Sequence, residues 1–172
     1  MNLFINPEDT VAIVLPNGPD LGLLFIACSC FAISAPLNPN YSKNEFIFYL
    51  SDLKAKFLIV DPKLKTEASK AATELGITIF HLSPKEKAGE FNLKNDTKRS
   101  NTTIVKQNFM NNTSLLLHTS GTTSKPKLVQ LTSDNLISSA LIIGRTLNLN
   151  KKDCCLNIMP LFHIHGLVAV LL

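Results

Sequence analysis

What this sequence lacks excludes several large classes of protein. Its four cysteines, Cys28, Cys30, Cys154 and Cys155, form neither a C-x-x-C pair nor a His/Cys zinc spacing. Buried reduced thiols are the default expectation, and sequons such as Asn101-Thr102-Thr103 read as chance matches. The start of the chain has no basic n-region of the signal-peptide kind. The segment Leu21 to Leu37 carries no charge, but it is interrupted by Gly22, Ser29, Ser34 and Pro36 and falls just short of spanning length, so no transmembrane segment is expected. Net charge is only +4, many of the lysines sit in a polar stretch from Lys85 to Lys106, and no aromatic residues are interleaved with basic ones. A nucleic-acid partner is therefore not expected. No internal repeat is visible, and no second glycine precedes a Lys-Ser or Lys-Thr pair as a Walker A loop requires.

What is present describes an ordinary globular protein. The 172 residues are 45% hydrophobic and 17% charged, enough to build a real core. Short β-rich runs are expected as strands at Val11 to Leu15, Phe57 to Val60, Ile77 to Leu82, Leu115 to His118 and Asp153 to Ile158. Between them, Pro19-Asp20 opens a helix buried all round over Leu21 to Leu37, and the capping box Ser42-Lys43-Asn44-Glu45 opens another over Phe46 to Leu53. Asp61-Pro62 supplies an N-cap and N1 for a helix that Gly76 ends. A last helix runs from about Asn135 to Leu147, with Leu136, Ala140, Ile143 and Leu147 at helical spacing. Strands alternating with helices place the chain in the α/β class, with parallel sheets flanked by helices in βαβ units. The division expected is 1–82 as a first βαβ lobe, 83–113 as a polar connection (Thr103 to Val105 pairing as an edge strand), and 114–172 as the start of a second lobe.

Two stretches carry chemistry. In the first, the apolar run Leu115-Leu116-Leu117 breaks into His118-Thr119-Ser120-Gly121-Thr122-Thr123-Ser124-Lys125-Pro126-Lys127, and Thr132-Ser133-Asp134-Asn135 then opens a helix. Strand, hydroxyl-rich loop and helix gather N–H groups, hydroxyls and an ammonium around a phosphate; the competing reading is a plain polar turn. Gly121 lets backbone approach a ligand, Thr119, Ser120, Thr122 and Thr123 offer hydroxyls, and Lys127 offers a positive charge behind the stiffening Pro126. In the second, Met159-Pro160-Leu161-Phe162-His163-Ile164-His165-Gly166 follows a predicted strand end, where open α/β folds bind ligands. A His-x-His pair can be half a metal site, but no acidic or cysteine partner stands at ligand spacing, so no metal site is expected. The alternative is a pair of turn histidines capping the last helix.

The order of these residues resembles a known family. Thr119-Ser120-Gly121-Thr122-Thr123-x-x-Pro126-Lys127 closely resembles the phosphate-binding loop of the adenylate-forming (AMP-binding) enzymes, which comprise acyl-CoA synthetases, luciferases and peptide-synthetase adenylation domains. Pro160-Leu161-Phe162-His163-x-x-Gly166, about 40 residues on, resembles a second signature. Val11-Ala12-Ile13-Val14-Leu15-Pro16-Asn17 and Ala35-Pro36-Leu37-Asn38-Pro39 resemble its earlier landmarks. With Ser124 and the His-Ile-His-Gly run, the chain looks closest to acyl-CoA synthetases of the oxalate–CoA ligase-like type. Ser124 stands where most members have glycine, Leu128 where many have a second glycine, and Ser133 where a histidine is common.

The resemblance implies an ATP-dependent carboxylic acid–CoA ligase using ATP, Mg²⁺ and CoA. Thr119, Ser120, Gly121, Thr122, Thr123, Ser124 and Lys127 would bind the β- and γ-phosphates. His163 would be the catalytic residue beside the carboxylate, while His165 and Gly166 would line the acyl pocket. Alternatives are another adenylate-forming enzyme, such as a peptide-synthetase adenylation domain, or a non-catalytic nucleotide-binding product. The family's Mg²⁺-holding Gly-x-Thr-Glu motif, its ribose-binding aspartate, its hinge and its C-terminal lysine lie beyond Leu172. The expectation is thus an N-terminal fragment, inactive alone and missing the C-terminal part of the enzyme. A cytoplasmic location is expected, or peroxisomal if a longer chain carries a C-terminal signal.

Overall fold

The computed structural model describes residues 5–95, 113–119 and 126–172. The predicted strand at Thr103 to Val105 lies outside them. So do Ser120, Gly121, Thr122, Thr123 and Ser124.

At the centre is β1 (Thr10–Val14), buried along its whole length. It pairs in parallel with β2 (Ile33–Pro36) on one side and β3 (Phe57–Val60) on the other. Beyond β3 come β4 (Thr78–Pro84), parallel, and β5 (Phe91–Asn95), antiparallel; beyond β2 come β6 (Thr113–Thr119), parallel, and β7 (Lys127–Thr132), antiparallel. The seven described strands form one sheet, ordered β5-β4-β3-β1-β2-β6-β7. Alternation of side chains divides the core in two. Val11, Ile13, Phe57, Ile59, Leu115 and Leu117 face one layer, with α1 (Pro19–Phe31), α4 (Ser133–Thr146) and a short π-type helix (His165–Leu171). Ala12, Val14, Leu58, Val60 and Leu116 face the other, with α2 (Lys43–Asp52) and α3 (Ala68–Glu74).

Local signals are well obeyed at several points. The capping box at α2 is complete: the Ser42 hydroxyl accepts from Glu45 N, and Ser42 N donates to the Glu45 carboxylate at 2.8 Å. The Ser42 hydroxyl, donating to the same carboxylate at 2.7 Å, and then the Ser42 N–H hold the Glu45 carboxyl below its ordinary value. Gly76 ends α3 with φ 68°, the left-handed conformation that favours glycine.

Four expectations are corrected. The helix expected over Leu21 to Leu37 ends at Phe31 because residues 33–36 find strand partners in residues 10–13 of β1. Nor is it buried all round, since Leu23, Ile26 and Phe31 are exposed. Asp61-Pro62 does not open α3. The Asp61 carboxylate accepts from Lys63 N at 2.8 Å in a local turn, and the helix begins at Ala68, whose N–H meets the Thr66 hydroxyl at 3.3 Å. Asp153 to Ile158 is not a strand: Asp153 closes a turn by accepting from Asn150 N, and Leu156 and Ile158 are exposed, with no ladder among the described strands. Most important for the site, the layout is not strand, loop, helix. The second apolar patch is β7, which pairs antiparallel with β6, and α4 starts at the far end of β7. That end is about 17 Å from Lys127 at strand rise. The positive end of the α4 dipole, which acts within a turn of the helix, therefore does not reach Lys127.

Candidate functional site at the carboxyl edge of the sheet

β1, β2 and β6 run parallel, so their carboxyl ends share one edge. β1 and β6 are separated by β2 alone, about 10 Å apart at normal strand spacing. The first predicted constellation leaves from this edge at the end of β6, and Asn17, just past the end of β1, ties the second to it.

At the end of β6, Thr119 pairs with Lys127, the first residue of β7. The Thr119 hydroxyl donates to the Lys127 carbonyl at 3.5 Å, and both residues are exposed. The two ends of the predicted phosphate-binding string are thereby held together, with hydroxyl and ammonium on adjacent strands. His118, one residue inside, has its Nε2 2.8 Å from the Asp52 carboxylate at the end of α2.

At the end of β1, the chain passes through Pro16-Asn17-Gly18 into α1. The Asn17 side chain reaches across the molecule to the second constellation. Its Oδ1 accepts from Leu161 N at 2.7 Å, and its Nδ2 donates to Met159 O at 3.3 Å. From the other side, Asn157 Oδ1 accepts from Met159 N at 3.0 Å and its Nδ2 donates to Gly166 O at 3.0 Å. These two amides clamp the turn that presents His163. His163 N donates to Pro160 O at 3.1 Å, and His163 O accepts from Leu167 N at 3.1 Å. Leu167 is itself fully buried and anchors the turn in the core. The His163 ring is exposed beside Phe162, centroids 4.7 Å apart. His165 is exposed, whereas Gly166 is buried against the turn's own carbonyls.

The structure thus brings Thr119 to Lys127, and His163 to His165 and Gly166. No hydrogen bond or ring contact among the described residues joins the two groups; they share an edge, not a contact. Asn17, Asn157 and Asp52 were missed by the sequence reading. Asn17 looked like an ordinary turn residue, and nothing local marks Asn157 or Asp52. No group of three His, Cys, Asp or Glu able to hold a cation exists among the described residues. None of the described helices is long and apolar enough to cross a membrane. A cavity of about 230 Å³ lies elsewhere, walled by Phe25, Ile26, Phe31 and Leu136, and includes none of the predicted site residues.

The cysteines take no part in either group. Burial in α1 pushes the Cys28 thiol up to about 12, since thiolate is disfavoured away from water, whereas Cys30, Cys154 and Cys155 are exposed. At pH 8, well below that value, Cys28 remains thiol. Iodoacetamide on the native protein is expected to modify the other three at least a hundredfold faster, read by peptide mass mapping. Equal labelling of all four would show that α1 does not pack as described.

The model for the family described as AMP-binding enzyme matches residues 2–172. A probable CoA ligase of Humulus lupulus is 39% identical over 170 residues, which cover 95% of this chain and 32% of the relative. The oxalate–CoA ligase of Saccharomyces cerevisiae is 40% identical over 190 residues, covering 96% and 35%. Among solved structures, O-succinylbenzoate coenzyme A synthetase from Bacillus subtilis, in complex with AMP, superimposes with TM-score 0.71 at 30% identity, covering 96% of this chain and 40% of that one. Apo MatB from Rhodopseudomonas palustris matches with TM-score 0.75 at 22% identity, covering 96% and 32%, a likeness of fold. The chain spans about a third of the length of these curated relatives.

Proposed function

The chain belongs to the AMP-binding enzyme family, and from that premise we propose that it is the front part of an ATP-dependent carboxylic acid–CoA ligase. In the first step a carboxylate oxygen bonds to the α-phosphorus of ATP and the bond to pyrophosphate breaks, giving acyl-adenylate. In the second, the CoA thiol gives up its proton, its sulfur bonds to the acyl carbon, and AMP leaves. Residues 1–172 would be an incomplete AMP-binding N-terminal domain, the remainder of the enzyme supplying what these residues lack.

The observation that carries this reading is the β6–β7 hairpin. It holds Thr119 and Lys127 side by side at the sheet's carboxyl edge, as the two ends of the Thr-Ser-Gly-Thr-Thr-Ser-Lys-Pro-Lys string. Hydroxyls and an ammonium fixed there stabilise phosphate charge without help from a helix terminus. Ser120, Gly121, Thr122, Thr123 and Ser124 would complete the cradle. Exposed His163 would orient the acid's carboxylate on a turn held rigid by Asn17 and Asn157, with His165 and Gly166 bordering the acyl group. Mg²⁺ would accompany the ATP phosphates; the described residues offer it no cage of their own.

The test is acid-dependent ATP–pyrophosphate exchange by the native product purified from its own cells. Oxalate is the first acid to try, because two relatives of 38–40% identity are oxalate–CoA ligases. Exchange that needs the acid, and CoA thioester formation on adding CoA, are the expected results. Lys127→Ala is expected to raise the KM for ATP about tenfold, the loss of about 1.4 kcal/mol of charge-assisted binding. Absence of exchange across a panel of carboxylic acids would sink the proposal.

A further inference from the structure

β2 is registered with β6 at Ser34 opposite Leu115 and ends at Pro36. Carried two residues further, that register sets Pro36 level with Leu117, so His118 and Thr119 lie past the end of β2. Past that point the hairpin is a cantilever with β7 on its other side as an edge. Something must hold its tip against the body, because Thr119 and Lys127 sit on it.

His118 meets that need. On β6 its side chain falls on the same face as Leu116, towards α2. There Nε2 lies 2.8 Å from Asp52 Oδ2, and the ring packs edge-on to Tyr49 with centroids 4.7 Å apart. Tyr49 in turn stacks on Tyr41 at 4.6 Å, so the imidazole rests on an aromatic floor. The His118 side chain is 5% exposed and Asp52 45%. Among the described residues the buried Nδ1 has no hydrogen-bond partner, and the one polar tie of this ring is to Asp52. Across the ladder Leu128 packs against the same layer, but a leucine fixes depth and not direction.

We infer that His118, held by Asp52, is a positioning residue for nucleotide binding: it sets where the Thr119 hydroxyl and the Lys127 ammonium stand at the hairpin tip. This rests on the proposed function for the identity of the ligand. It predicts a selective effect. Loosening the tip weakens the grip on the phosphates, while the acid's site on the separate His163 turn is untouched.

The experiment takes His118→Ala, His118→Gln and Asp52→Asn in the full protein. MgATP binding by equilibrium dialysis and the kinetics of ATP–pyrophosphate exchange are then measured. His118→Ala is expected to weaken MgATP binding and raise its KM about tenfold. Asp52→Asn, half-exposed and isosteric, should do so about threefold. His118→Gln, which can still donate to Asp52, should recover most of the loss, and kcat and the KM for acid should stay within twofold in all three. Unchanged nucleotide affinity in folded His118→Ala and Asp52→Asn overturns the inference and leaves the ligase reading standing. So does an equal fall in kcat and in acid affinity, which would mean general loosening. Nucleotide binding that follows the predicted order without exchange sustains the inference and removes the ligase reading. No MgATP binding by the unaltered protein removes both.

Discussion

Gly166→Ala is expected to destabilise the protein by about 3 kcal/mol, the upper end of overpacking costs, and to abolish the His163 turn as a working unit. A Cβ at this position would lie 2.4 Å from the Pro160 carbonyl oxygen and 3.1 Å from that of Met159. Neither can retreat. Met159 O is held by the Asn17 amide, and Pro160 O accepts from His163 N. Gly166 O is itself held by Asn157. Gly144 supplies the control: it lies inside α4 with nothing within 4 Å of where its Cβ would be. Gly144→Ala is therefore expected to stabilise by up to about 1 kcal/mol, the ordinary helix-propensity gain. Thermal denaturation should separate the two variants by roughly 8–16 °C, at about 2–4 °C per kcal/mol for a chain of this size. Two variants melting together would mean that the turn does not close on Gly166.

Asn17→Ala should cost nearly as much, about 3 kcal/mol, for a different reason. The substitution leaves the part-buried Leu161 N–H without its acceptor, an orphan that costs about 1–3 kcal/mol, and frees the more exposed Met159 carbonyl that the amide also held. Leu161 is only 6% exposed, so water cannot readily replace the amide. Asn17→Asp is the informative companion. It keeps an acceptor for Leu161 N–H but sets a carboxylate oxygen against the Met159 carbonyl, so it should fall between the native protein and Asn17→Ala. Urea unfolding measures the loss. If the turn carries the acid's carboxylate, kcat/KM for acid in the exchange assay should also fall by about a hundredfold, the scale of a 1 Å misplacement. An Asn17→Ala protein with unchanged unfolding midpoint would show that the link between β1 and the turn is not structural.

These two residues also show how differently parts of the molecule were written into the sequence. Gly166 was readable because the family string demands it. Its physical reason, a carbonyl 2.4 Å from the missing Cβ, became visible with the turn folded. Asn17 was readable only as a turn former, because its partners are 142 and 144 residues away. The same contrast separates Ser42–Glu45, a capping box legible within four residues, from Asp52, which matters through a histidine 66 residues distant.

The sequence by itself determined the elements whose causes are local: β3, the α2 start, the Gly76 stop and the α/β class. Side-chain period, capping chemistry and glycine's left-handed freedom act over a few residues and need no partner. Only the tertiary structure decided what depends on who pairs with whom. Residues 33–36 became β2 and not helix because β1 offered a ladder, and 153–158 stayed unpaired because none of the described strands did. Thr119 and Lys127, the ends of the phosphate-loop string, lie side by side and remote from the α4 terminus because β7 runs back along β6. A strand's hydrogen bonds are satisfied by another segment, so its place, and the site built on its end, belong to the fold and not to the local sequence.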